Sequence, residues 1–162
     1  MTLDDESLSK ELRLLVAIDF SDCSRNALRQ AKSLMAEKSA YIIALHVIDH
    51  DFITDCIRYK LGEEGTIKKK LFMEAKGKLR DSIRQENMED DHVQMMVSEG
   101  VPYIEINGKA VENNVDMVII GSCGNTGDMS QIFFGSTAEK VLRFITRPVL
   151  CVPPESEYRM GR

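Results

Sequence analysis

Short, nearly unbroken apolar runs alternating with longer amphipathic stretches constrain this chain more than any other feature. Leu14-Leu15-Val16-Ala17-Ile18 opens the series, within a first strand read over 12–20. Tyr41 to Ile48, His92 to Val97, Asp116 to Ile120 and Val149 to Val152 follow as four further strands. Runs without polar alternation suit strands covered on both faces, as in a parallel sheet. After the first strand, Ser21 is a good helix N-cap, and Ala27, Leu28, Ala31, Leu34 and Met35 repeat on one helical face. Ile67, Leu71, Ala75, Leu79 and Ile83 form a second helical face, reached through a polar connection over 49–65. Its Lys68-Lys69-Lys70 run is read as a solvated helix face. Pro102 suits the first turn of a third helix, which Gly108 weakens and Asn113-Asn114 ends. The last helix covers 136–145, with Ala138, Val141, Leu142 and Ile145 on one face. The order β-α-β-α-β-α-β-α-β predicts an open five-stranded parallel sheet with helices on both faces, Rossmann-like in kind.

A chain of 162 residues suffices for one domain with its own core. The net charge of −5 argues against general nucleic-acid or anionic-membrane binding, which draws on a basic surface. No apolar run approaches a membrane span, and the acidic stretch Met1 to Glu11 reads as a polar extension rather than a signal peptide. Residues 12–154 then form the domain and 155–162 a polar tail. Cys23, Cys56, Cys123 and Cys151 show no C-x-x-C pair and no zinc-type spacing, so the expectation is a reduced, cytoplasmic protein.

Open parallel sheets bind ligands beyond the carboxyl ends of their strands, where the strand order reverses. Asp19 falls there, and so does the loop Gly121-Ser122-Cys123-Gly124-Asn125-Thr126-Gly127-Asp128, with Gly135-Ser136-Thr137 opening the last helix. Glycine lets backbone amides approach a ligand with no Cβ between, and a helix N-terminus presents unpaired N–H groups to an anion. The Ser136 and Thr137 hydroxyls add donors. A phosphate cradle needs no lysine in such a loop. The plainer alternative is a turn shaped by glycines and a helix capped by Ser136. Amides around Cys123 would lower its thiol pKa and favour oxidation, against the simpler reading of a small loop residue.

Several of these stretches, in this order, resemble the universal stress protein family. Gly121 to Thr137, followed by Val141-Leu142 and Arg147-Pro148-Val149-Leu150-Cys151-Val152, resembles the end of its domains. Leu14 to Ser21, Leu45-His46-Val47-Ile48-Asp49 and Gly100-Val101-Pro102 resemble its first strand, second strand and the approach to its third helix. The likeness covers roughly residues 12 to 153 and implies an adenine nucleotide alpha hydrolase-like fold. The loop reads Gly121-x2-Gly124-x10-Gly135-Ser136, one residue longer than the G-x2-G-x9-G-(S/T) of ATP-binding members. The resemblance implies that Asp19 meets the ribose and the Val47 backbone the adenine. Gly121 and Gly124 line the ribose and phosphate path, and Gly135, Ser136 and Thr137 hold phosphates. Ala17, Ile18, Ile120 and Asn125 complete the expected cofactor-binding set.

The expected cofactor is ATP or a related adenine nucleotide, with Mg²⁺ carried in by the phosphates. No G-x-S-x-G elbow, P-loop or H-E-x-x-H helix occurs, and His46, His50 and His92 have no ligand spacing, so no catalytic residue and no resident metal is expected. The resemblance implies a homodimer through the Val149–Val152 edge strand and a regulatory role toward a protein partner. The competing readings are a dimeric stress-response interaction protein that does not bind nucleotide, and a slow ATPase.

Overall fold

The computed structural model describes residues 10–89, 91–124 and 134–155. Their elements run β1 (Leu12–Ala17), α1 (Asp22–Glu37), β2 (Ala40–Asp49), α2 (His50–Arg58), α3 (Glu64–Gln85), β3 (Val93–Gly100), α4 (Pro102–Glu112), β4 (Met117–Gly121), α5 (Ser136–Arg143) and β5 (Val149–Val152). The sheet has the order β3-β2-β1-β4-β5 with every neighbouring pair parallel, as the alternation predicts.

Strand alternation divides the apolar runs between two cores. Leu14, Val16, Ile18, Ile42, Ala44 and Ile119 face α1 and α3, packing on Ala27, Leu28, Ala31, Leu79 and Ile83. Leu15, Ala17, Ile43, Leu45, Val118 and Ile120 face α4 and α5, packing on Ile106, Ala110, Ala138 and Val141. Leu14, Leu15, Ile42 and Ile43 are wholly buried, and burying a side chain of that size contributes about 1.5–3 kcal/mol. β1 is central because both its edges are paired: Leu14, Leu15 and Val16 stand beside Ile42, Ile43 and Ala44 on one side and Met117, Val118 and Ile119 on the other.

Ser21 caps α1, its hydroxyl accepting from the Ser24 amide, and α4 starts with Pro102 in its first turn. Asn114 ends α4 in the left-handed region with φ 48°, where asparagine is tolerated. Lys68 pairs with Glu64 (2.8 Å) and Glu99 (3.1 Å), consistent with a charged outer face on α3.

Two expectations are corrected. The connection over 49–65 contains α2, capped by the Asp49 carboxylate accepting from the Asp51 amide. Only Ile53 of α2 is fully buried, so its apolar repeat is too sparse to stand out from a polar loop. The last helix stops at Arg143, and Ile145 is 52% exposed rather than part of the buried face.

Candidate functional site

The strand order reverses between β1 and β4. The chain leaves β1 through α1 toward β2, then returns from β3 through α4, over the opposite face, to β4. The carboxyl ends of β1 and β4 therefore diverge into a crevice. A cavity of about 560 Å³ occupies it, within the range that suits a small-molecule ligand. Ala17, Ile18, Asp19, Val47, Ile120, Gly121, Gly124, Gly135, Ser136 and Thr137 all line it. Those ten come from β1, β2, β4, α5 and the loops between, which only the fold brings together. Asn125, expected in the same set, lies outside the described residues, as does Gly127.

Asp19 is held where β1 gives way to α1. Its Oδ1 accepts from the Ser21 amide (3.0 Å) and from the Ser21 hydroxyl, which is itself tied to the Ser24 amide. An added Cβ at Gly124 would lie 3.1 Å from Asp19 Oδ2, so the second carboxylate oxygen borders the glycine loop. Gly121 is packed so closely on α1 that a Cβ there would stand 2.7 Å from Cys23 Cβ and from the Cys23 carbonyl carbon. The Gly135 amide donates to the Ser122 carbonyl (2.8 Å), and a Gly135 Cβ would stand 3.3 Å from the Gly124 nitrogen. Both ends of the loop thus meet over the crevice, although ten residues separate Gly124 from Gly135.

Gly135 is the N-cap of α5, and among the described residues no side chain caps that helix. Its first-turn amides are oriented toward whatever sits before them, with a partial positive charge from the helix dipole. The residues present fit a phosphorylated ligand: backbone donors and two hydroxyls at one end of the cavity, and a carboxylate suited to hydroxyl groups at Asp19. Val47 offers backbone at the apolar end, near Leu45 and Ile106.

The wall toward α3 is one the sequence reading missed. Phe20, His46, Leu71, Glu74 and Lys78 line it, with Phe52 of α2. Phe20 has φ 66°, unusual for an aromatic residue, and its ring packs on His46 at 4.5 Å between centroids. Lys78 Nζ stands 5.7 Å from the same ring. His46 Nδ1–H donates to the Ile18 carbonyl (2.7 Å), and burial pushes the imidazole pKa below its ordinary value. The spacing along α3 marks only a buried stripe, and nothing in it singles out Glu74 or Lys78 as neighbours of the crevice.

The cysteine expectation is also corrected. Cys23 and Cys123 are joined in a disulfide, with Cα atoms 5.8 Å apart, while Cys56 and Cys151 are free. The two partners lie 100 residues apart in sequence and meet because β4 pairs beside β1. Short-range cysteine spacing cannot reveal such a pair.

An open parallel α/β sheet with a ligand-sized crevice at its reversal point defines the class of protein. The universal stress protein family model matches residues 12–153, and the chain belongs to that family. Universal stress protein MJ0577 of Methanocaldococcus jannaschii is 34% identical over 154 residues, covering 86% of this chain and 93% of that relative. The solved MJ0577 structure superposes with a TM-score of 0.75 at 32% identity, covering 90% of this chain and 97% of that one. A universal stress protein from Archaeoglobus fulgidus in complex with dAMP shares the fold at TM-score 0.54 and 22% identity, covering 87% of this chain and 97% of its own. Another, in complex with cAMP, does so at 0.58 and 19%, covering 89% and 98%.

Proposed function

We propose that the crevice binds an adenine nucleotide, ATP foremost, and that the protein is a stress-response regulatory module rather than an enzyme. The observation that carries this reading is the convergence of Asp19, Val47, Gly121, Gly124 and the Gly135-Ser136-Thr137 helix start on one cavity. Asp19 would accept from ribose hydroxyls, the Val47 backbone would meet the base, and the α5 amides with Ser136 and Thr137 would take the phosphates. Mg²⁺ would arrive on those phosphates. The dAMP and cAMP complexes of proteins with this fold support an adenine ligand.

Binding would order the base of the glycine loop and change the surface offered to a protein partner. The same reading takes the protein as a cytoplasmic homodimer that pairs through β5. No general base is assigned, so turnover is not part of the proposal. Titration calorimetry on the folded protein tests it: ATP binds with an affinity that Asp19→Ala weakens about 10-fold or more, the scale of one lost charge-assisted hydrogen bond. No heat of binding at millimolar ATP, AMP or cAMP would remove the nucleotide reading. The longer loop spacing favours the alternative, an interaction protein without nucleotide. The two separate on whether nucleotide co-purifies, which a chain without Trp reveals as excess absorbance in the nucleotide band.

A further inference from the structure

The disulfide sits in the wall of the crevice, between its two halves. Cys23 is the second residue of α1 and only 1% exposed. Cys123 is half-buried, lines the cavity, and precedes Gly124 directly. The bond therefore fastens the start of the glycine loop to the helix that Asp19 and Ser21 introduce. We propose that Cys23 and Cys123 form a reversible dithiol–disulfide centre, reduced by a small or protein dithiol reaching Cys123 through the cavity, whose redox state sets nucleotide affinity. The proposal rests on the nucleotide reading above and names a regulation of that same site.

Access decides which sulfur is attacked, and it selects Cys123. Cys123 faces the cavity, whereas Cys23 is enclosed at the start of α1. A thiolate of the dithiol attacks Cys123 Sγ; a new S–S bond forms as the Cys23–Cys123 bond breaks, and Cys23 departs as thiolate. The dithiol's second thiolate then attacks its own sulfur in the mixed disulfide and releases Cys123. Two electrons pass to the protein, the reductant becomes a disulfide, and the two thiol protons lost by the reductant balance those gained by the cysteines.

Oxidation and occupancy are then linked. In the disulfide form Gly121 is held on α1 and Gly124 beside Asp19, so less ordering is left for the ligand to drive, and nucleotide binds more tightly. An occupied cavity in turn keeps the reductant from Cys123. Because the coupling is reciprocal, the ratio of the two nucleotide affinities equals the shift in the thiol–disulfide equilibrium. A coupling of about 10-fold corresponds to about 30 mV for two electrons.

The test uses the full chain carrying Cys56→Ser and Cys151→Ser, with the unsubstituted chain read in parallel by peptide mapping. Samples equilibrated in oxidised/reduced dithiothreitol buffers, with and without saturating ATP, are quenched, mass-tagged and weighed. ATP affinity is measured by calorimetry in both redox states. The expected result is one two-electron transition of Cys23 and Cys123, about 30 mV more reducing with ATP, and affinity about 10-fold weaker after reduction. Cys23→Ser and Cys123→Ser each abolish the redox difference. Full tagging of both cysteines in the oxidised buffer, or equal ATP affinity in the two states, overturns the inference and leaves the nucleotide reading standing. A disulfide that forms while neither state binds ATP overturns the nucleotide reading, and the coupling with it.

Discussion

Gly121 and Gly108 show how little residue type alone says about a position. A Cβ on Gly121 would collide with backbone and side chain of Cys23 at 2.7 Å, whereas a Cβ on Gly108, inside α4, meets nothing within 4 Å. Gly121→Ala is expected to lower unfolding free energy by about 1–3 kcal/mol, the usual cost of overpacking. Gly108→Ala is expected to raise it by about 0.5–1 kcal/mol, because helix-interior glycine carries an entropic penalty. Chemical denaturation of the two variants checks both signs. His46 supplies a pH signature. Its folded pKa lies below the ordinary 6.5, chiefly through burial, so the unfolded chain takes up the proton first as pH falls. Stability is therefore undiminished above 6.5 and declines as pH drops from there toward the folded pKa, where the loss levels off. A His46→Gln variant should lose that slope in denaturation midpoints taken between pH 7.5 and 5. At this scale the sequence was informative about Asp19 and the glycines, whose types match a phosphate loop. It was silent on His46, Phe20 and Lys78, whose relevance comes only from the ends of β1, β2 and α3 meeting at one crevice.

Among elements, the β1–β4 pair matters most, since the crevice opens where it ends. Asp116 secures its opposite end: Oδ2 accepts from the Arg13 amide (2.9 Å), Oδ1 from Lys10 Nζ (2.9 Å), and its own amide donates to the Arg13 carbonyl (2.7 Å). The Arg13 N–H, then Lys10, hold its carboxyl below the usual 3.8. The lowered pKa means its contribution is whole above that value and disappears as pH falls through the folded pKa. Asp116→Ala should cost about 1–2 kcal/mol at neutral pH, read from thermal or urea unfolding, and the deficit should vanish in strong acid. Strand identity was legible because uninterrupted apolar runs have few other uses in a chain of this length. α2 was not, since a nine-residue helix with one buried side chain differs little in pattern from a polar loop. Partner choice also escapes: nothing local tells β1 to pair β4 rather than β3, and the Cys23–Cys123 contact depends wholly on that choice.

For the molecule as a whole, β5 is the edge strand on the β4 side among the described residues, and Phe144 (54% exposed) and Ile145 (52%) precede it in the chain. An edge strand together with exposed apolar side chains favours association with a second copy. Sedimentation velocity at micromolar concentration should find a dimer, and Phe144→Glu with Ile145→Glu should return monomers; a monomer at every concentration would exclude the β5 homodimer. The crevice has a consequence of its own. It straddles the sheet: Phe20, Ala75 and Lys78 belong to the α1–α3 side, while Ile106, Ser136 and Ala138 belong to the α4–α5 side. Any guest seated there works like a keystone, touching both halves across the strands and beside the Cys23–Cys123 bond. Its arrival should slow amide deuteration on both sides of the sheet in step, carrying a message from one pocket to opposite faces.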